Sequence, residues 1–247
     1  MSFRGSRRSV IHGVKVVVVI PAFEEAPRIG RVLVGLPDCV DHVVIVDDAS
    51  SDQTSDVARA AGDGRLEIIR HPENRGVGAA IITGYRRGRE LAAAPRDAFV
   101  VVAGDGQMDP ADLPGLVWPI ACGRAGYVKG CRFDWPGARR DIPTGRWLGG
   151  KAFSKLTSWA IGQPVHDSQC GYTALSRAAA DRLDLAGLWP GYGYPNDILG
   201  QLAARGIVIA EVPVRPIYAD EVSRLKLRHL PTIAMLIGRA WHRRVTR

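Results

Sequence analysis

The sequence predicts an α/β fold on a mostly parallel sheet flanked by helices, and three observations carry that expectation. Short aliphatic runs recur at residues 14–20, 42–46, 66–70 and 99–102. Unbroken runs of this length suit strands buried on both faces, as in parallel sheets. Each of the first three is followed at a short interval by a segment of helical pattern, which favours a helix-covered sheet. Every run also ends abruptly in polar or glycine-rich residues, and ligands of open α/β sheets bind at that carboxyl edge.

Taken in order, strand 14–20 leaves through Pro21-Ala22-Phe23-Glu24-Glu25 into an amphipathic helix over 27–36. Strand 42–46 runs into Asp47-Asp48-Ala49-Ser50-Ser51-Asp52-Gln53-Thr54, where Ser50 or Ser51 is expected to cap a helix reaching residue 61. Strand 66–70 meets Asn74-Arg75-Gly76-Val77-Gly78, and a helix follows to residue 93. Strand 99–102 ends in Ala103-Gly104-Asp105-Gly106-Gln107-Met108-Asp109-Pro110. Asp105, Gln107 and Asp109 offer oxygens at alternate positions, and Gly104 and Gly106 let the backbone come close, which suits Mg²⁺ or Mn²⁺ on a diphosphate. Asp109 equally fits a helix cap ahead of Pro110. Taken singly, Asp47 and Asp48 read as caps and Gly76 and Gly78 as a tight turn. Gathered on one sheet edge, they offer what a nucleoside diphosphate needs.

The second half opens with a strand over 127–133. Residues 135–141, rich in Pro, Gly and Arg without a period, are expected to form a mobile loop in which Arg139 and Arg140 are cationic. Arg146 opens a helix running through Trp159. An aromatic and glycine-rich run at 189–197 precedes a helix to residue 204. Residues 207–214 read as a strand that Pro213 places at an edge. Residues 231–244 put Ile233, Leu236, Ile237, Ala240 and Trp241 on one helical face, with Arg239, His242 and Arg243 elsewhere. Core packing explains that face, and so does docking on an anionic membrane.

With 247 residues the chain can bury a substantial core in one large α/β domain. Its net charge of +8 implies anionic partners. The basic residues are dispersed without a nucleic-acid-binding motif, so no nucleic acid is expected. Cys39, Cys122, Cys131 and Cys170 form no CxxC pair, which excludes the usual zinc and disulfide frameworks and makes reduced, cytoplasmic thiols the default. Arg4, Arg7 and Arg8 before residues 14–20 imitate a signal peptide, but Lys15 interrupts the apolar run and Pro21, Glu24 and Glu25 follow it. No apolar stretch reaches the roughly 18 residues of a membrane span.

The segments Val19-Ile20-Pro21-Ala22-Phe23-Glu24-Glu25, Val46 to Thr54, and Asn74-Arg75-Gly76-Val77-Gly78-Ala79-Ala80 resemble, in order and spacing, the IPAYNE, VDDGSxDxT and NxGxGxA motifs of family 2 glycosyltransferases. The resemblance is to the GT-A branch that includes dolichyl-phosphate mannose synthase and polyprenyl-phosphate glycosyltransferases. It implies a single domain over 1–247, with a nucleotide-sugar half at 12–123, an acceptor half at 124–226 and a basic amphipathic helix at 227–247. It implies nucleotide-sugar contacts from Pro21, Ala22, Phe23, Glu25, Asp47, Asp48, Asn74, Gly76, Gly78 and Asp105. Asp105 and Gln107 become the expected ligands of Mg²⁺ or Mn²⁺, in a segment that matches the family's DADGQ except that Ala103 replaces its first aspartate.

Arg132 falls in a segment like the family's GSRY, and Arg146, Ser223 and Lys226 join it as expected acceptor contacts. Asp167, Asp197 and Arg132 are the expected catalytic groups, and Asp197 equally fits a helix cap. The implied reaction is inverting transfer of a sugar from a UDP- or GDP-sugar to a polyprenyl or dolichyl phosphate. The protein is expected in the cytoplasm, with contact to the inner face of the membrane through the C-terminal helix as one of the two explanations of that helix's apolar face. A soluble sugar or natural-product acceptor is the alternative. Ala103 suggests another, a non-catalytic nucleotide-sugar-binding protein.

Overall fold

Residues 11–217 and 230–246 are described by the computed structural model. Its centre is strand β1 (Val16–Ala22), a run of valine and isoleucine with almost no exposed surface. Parallel partners lie on either side of it, β2 (His42–Asp47) and β4 (Ala98–Val101), and β3 (Leu66–Arg70) extends the β2 side. Beyond β4 come β6 (Thr173–Ser176), β5 (Tyr127–Cys131) and β7 (Ile209–Pro213), giving one sheet of order β3-β2-β1-β4-β6-β5-β7. β6 is antiparallel to both neighbours, whereas β5 and β7 are parallel to each other. Pro213 does lie on an edge strand, where its missing N–H costs no ladder bond.

The helices are α1 (Ala26–Val34), α2 (Thr54–Ala61), α3 (Val77–Leu91), α4 (Leu113–Ala121), α5 (Ala138–Asp141), α6 (Thr144–Ile161), α7 (Arg177–Asp181), α8 (Tyr194–Ala204) and α9 (Leu230–Val245). Alternation of side chains along each strand divides the core into two layers. Val17, Val19, Val44 and Phe99 face the layer that also holds Tyr85 of α3 and Leu199 of α8. Val16, Val18, Ile20 and Val100 face the layer holding Ile29 of α1 and Leu116 of α4. A small third cluster joins Cys131, Phe133, Ala138 and Ile142, with Trp135 and Trp147 packed on it.

Several expectations change at this level. The segment 135–141 is not a structureless loop: a single 3₁₀ turn (Arg132–Asp134) and α5 fold onto that third cluster. Neither Ser50 nor Ser51 caps α2. Asp52 receives the Thr54 amide at 3.0 Å, and the serine hydroxyls bond to Glu24 instead. Asp109 does cap, accepting from the Ala111 amide at 3.0 Å in a 3₁₀ turn (Pro110–Asp112) ahead of α4. The apolar face of α9 is used for core packing: Ile233, Leu236, Ile237 and Ala240 are buried, whereas Trp241 is partly exposed. Strand β6 was not anticipated, because its four residues, Thr-Ala-Leu-Ser, have neither the length nor the β-branched density of the other strands.

Close approach of α3 to the sheet depends on Gly84, where an added Cβ would lie 2.1 Å from Cγ1 of Val19. Val19 is β-branched and sits mid-strand, so it cannot swing aside. Gly84→Ala is therefore expected to destabilise by about 1–3 kcal/mol through overpacking, despite a gain of about 1 kcal/mol in helix propensity; urea denaturation measures the sign.

Candidate active site

The carboxyl ends of β3, β2, β1 and β4 lie side by side, with the chain reversing direction of travel across the sheet at β1. Ligands of open α/β sheets bind at such a switch point. Pro21 and Ala22 end β1, Asp47 ends β2, Asn74 to Gly78 follow β3, and Asp105 and Gln107 follow β4. Because β6 runs antiparallel, the residues before it, including Asp167, reach the same edge as Arg132 after β5.

Loops leaving β1 and β2 are laced together. The Asp48 amide donates to the Ala22 carbonyl (2.9 Å), the Glu25 amide to Thr54 Oγ1 (2.8 Å), and the Ala26 amide to Asp52 Oδ2 (3.1 Å). Phe23 is half-buried in this lacing, and Glu25, almost wholly buried, pairs with Arg28 at 3.0 Å. Glu24 and Ala49 adopt left-handed φ values of 56° and 63°, a strain of the kind that collects at binding loops.

Asp47 and Asp48, both buried, hold the surrounding loops. Asp47 accepts from the Ser50 amide at 2.8 Å and from the Ser55 hydroxyl, with Arg70 at 3.3 Å. Asp48 accepts from the amides of Arg75 (2.9 Å) and Gly76 (2.7 Å) and pairs with His71 Nδ1 at 2.6 Å, while His71 Nε2 meets Thr83. The two aspartates therefore hold these strand-end loops in place, and Asn74 is exposed. The glycines have a further role. A Cβ on Gly76 would lie 2.8 Å from the Pro190 carbonyl oxygen, and one on Gly78 2.4 Å from that of Trp189. With the Ala79 amide donating to Pro190 at 3.0 Å, they clasp the 189–191 loop.

After β4, Gly106 takes φ +74°, and the Gln107 amide donates to Asp105 Oδ1 at 3.0 Å. Asp105 and Gln107 are half-buried beside this turn. Tyr172 donates to the Asp109 carbonyl at 3.0 Å, and the Arg215 amide donates to Asp112 at 2.8 Å, fixing the loop from both sides. Burial pushes the Asp112 carboxyl up, against the lowering effect of that amide. No group of three or more His, Cys, Asp or Glu suited to a metal occurs among the described residues. One carboxylate and one amide oxygen are hard donors, a set that fits Mg²⁺ or Mn²⁺ when water and diphosphate complete the shell.

Across the sheet from these loops, after β5 and before β6, Arg132 and Asp167 form one unit. Nε and Nη2 of Arg132 donate to the two carboxylate oxygens at 2.7 and 2.9 Å, and the Arg132 amide adds a third bond at 3.1 Å. Desolvation acts to raise the Asp167 pKa, but the charge and hydrogen bonds of Arg132 outweigh it and hold the carboxyl below its ordinary value. Glu211 of β7, nearly buried, accepts from the amides of His166 (2.6 Å) and Asp167 (2.9 Å). Lys129 is fully buried and donates to the Cys170 carbonyl at 2.7 Å; burial lowers its pKa.

The Oδ1 of Asp197 meets Arg243 of α9 at 2.6 Å and its Oδ2 accepts from the Trp189 amide at 2.9 Å, joining α8, α9 and the 189–191 loop. Arg146 is exposed in the first turn of α6. Ser223 and Lys226 lie outside the described residues. His71, Lys129, Glu211 and the Trp189–Pro190 backbone were missed in the sequence. A charge inside otherwise apolar strands β5 and β7 was the signal for Lys129 and Glu211; His71 carried none.

A family model described as glycosyl transferase family 2 matches residues 17–184. The chain is 29% identical over 220 residues to the UDP-N-acetylglucosamine–dolichyl-phosphate N-acetylglucosaminyltransferase of Methanococcus voltae, covering 83% of this chain and 86% of that one. It is 30% identical over 213 residues to the undecaprenyl-phosphate mannosyltransferase of Micrococcus luteus, covering 81% and 82%. Among solved structures, glucosyl-3-phosphoglycerate synthase from Mycobacterium tuberculosis, in complex with Mn²⁺, uridine-diphosphate and phosphoglyceric acid, superposes with a TM-score of 0.66 at 23% identity, covering 94% of this chain and 78% of that one. That likeness is one of fold, and the fold is GT-A. With its strand-end loops gathered at the sheet's switch point and a family model matching most of its length, the chain belongs to glycosyl transferase family 2.

Proposed function

We propose that this glycosyltransferase moves a sugar from a nucleoside-diphosphate sugar to a polyprenyl phosphate, with inversion at the anomeric carbon. The observation that carries the reading is the similarity, over more than four fifths of the chain, to transferases named for dolichyl and undecaprenyl phosphate. The acceptor side supports it chemically. A sugar hydroxyl needs a general base, whereas a phosphate is already ionised at neutral pH. The two acids nearest that role are buried and bonded to arginine: Asp167 to Arg132 and Asp197 to Arg243.

Asp105 and Gln107 would hold the divalent cation, which when bound acts as a Lewis acid on the departing diphosphate. The β1, β2 and β3 loops would enclose the nucleoside, with Pro21, Ala22, Phe23 and Asn74 at its walls and Glu25, Asp47 and Asp48 fixing them. Arg132, oriented by Asp167, and Arg146 would position the acceptor phosphate, as donors that stabilise its charge without moving a proton. One observation favours a second reading with a soluble acceptor: no helix among the described residues is long and apolar enough to cross a membrane.

Incubation with UDP- and GDP-sugars, Mg²⁺ or Mn²⁺, and either a polyprenyl phosphate or soluble acceptors tests the choice. A glycosyl polyprenyl phosphate is the expected product; product on soluble acceptors alone would sink the proposal. Asp105→Ala is expected to lower turnover by about a hundredfold or more and to flatten the dependence on metal concentration. Arg146→Ala should raise the KM for acceptor by about tenfold and leave that for donor unchanged in steady-state kinetics.

Arg132→Ala leaves the buried Asp167 carboxylate without its partner, at a cost of about 3–5 kcal/mol near neutral pH. In the wild type the folded-state pKa of Asp167 lies below its unfolded value of about 3.9, so the pair's stabilisation is complete above that value and is lost as pH falls through the folded one. In the variant desolvation is opposed only by the Lys129 charge and the residue-132 amide, so the pKa rises from its wild-type value and the deficit should shrink as acidification protonates the carboxyl. Urea denaturation at neutral pH and near pH 4.5 measures that difference.

A further inference from the structure

Helix α6 carries apolar side chains on both faces: Phe153, Ala160 and Ile161 pack on the core, and other large apolar residues point away from it. Its buried face carries Ser154 and Thr157, where Ser154 Oγ accepts from the Ser168 amide at 2.9 Å and Thr157 Oγ1 meets Asn196 Oδ1 at 3.0 Å. Leu148, Ala152, Lys155, Leu156 and Trp159 face outward, and Leu148, Leu156 and Trp159 are 64%, 53% and 62% exposed. Their spacing places them on one side of the helix, as a ridge about 16 Å long at the ordinary helical rise. Trp159 stacks on Trp241 of α9, with ring centroids 6.1 Å apart and planes at 8°, which continues the ridge onto the next helix. Large apolar side chains gathered in one exposed strip mark an interaction surface.

The charge around the ridge selects its partner. Residues 142–166 and 230–247 contain no Asp or Glu. They supply Arg146, Lys151, Lys155 and Arg244; Lys151 lies over the Phe133 and Trp147 rings at 4.7 and 5.4 Å, and Arg244 donates to the Trp159 carbonyl at 2.7 Å. Asp134 and Asp141, exposed in the turn and helix that precede α6, are outnumbered by Arg139, Arg140 and the cations of α6 and α9, so this strip of leucine and tryptophan borders on net positive charge and complements an anionic bilayer. A second copy would set like charges against each other. The same helix packs through Trp147 and Gly150 on Phe133, next to Arg132, so the strip is continuous with the acceptor side.

We propose that the outer face of α6 from Leu148 to Trp159, with Trp241, docks this protein on an anionic phospholipid surface. This deepens the polyprenyl-phosphate reading, since such an acceptor resides in a bilayer, and it relocates the membrane contact from the apolar face of α9, which is buried, to α6.

Flotation of the full chain with phosphatidylcholine vesicles, with and without phosphatidylglycerol and in the absence of donor and acceptor, tests it. Wild type is expected to float with the anionic vesicles, and Leu148→Glu/Leu156→Glu to partition at least about tenfold less. Retained transfer to a short-chain, water-soluble polyprenyl phosphate by that variant shows that the fold and site are intact, and reads the proposed reaction independently of docking. Wild type remaining with neither vesicle, equal flotation of the double variant, or a wild-type dimer that the substitutions dissociate would each overturn the proposal.

Discussion

A carboxylate removed from water must be paired and hydrogen-bonded or it will not stay ionised, and this constraint organises the binding edge of the sheet. Asp47, Asp48, Asp167 and Asp197 are all buried there or beside it, and each draws a different stretch of chain to itself. Asp47 gathers the turn leading to α2, Asp48 the loop after β3, Asp167 the arginine after β5, and Asp197 both the 189–191 loop and the C-terminal helix. The pocket walls are loops with little regular structure of their own. Their shape is set by which backbone amides and cations these four anions require.

Much of the architecture was legible because it rests on local patterns. Valine and isoleucine runs identified β1, β2 and β4, and the spacing of helical segments between them fixed a parallel arrangement on the nucleotide side. β6 was not legible: its existence depends on pairing with β4 and β5, which lie far away in sequence, and nothing in Thr-Ala-Leu-Ser announces that. The site was legible in position more than in contact. Asp48 was readable as a residue of the binding edge, but its hold on the Arg75 and Gly76 amides is a tertiary fact. The glycines at 76 and 78 read singly as a tight turn, and the structure shows that they admit a neighbouring backbone, a distinction no periodicity carries.

The C-terminal helix shows how the same pattern can have two causes. Its apolar stripe met both the requirement for core packing and that for a membrane surface, and the structure assigns the stripe to the core through α8 and α6. The outward apolar residues of α6 were concealed in the sequence because apolar residues on both faces leave that helix with no pronounced segregation to read.

The clasp between the β3–α3 loop and the Trp189–Pro190 backbone bears on how the protein matures. The Ala79 amide finds its acceptor at Pro190, across roughly 110 residues of chain. During synthesis β1 to β4 can pair as they emerge, yet the glycine loop lacks its facing wall until residues 189–191 have been made. The candidate site is thus completed late, by a long-range closure, and a chain truncated before residue 189 would have the strand-end loops without one of the surfaces that packs on them.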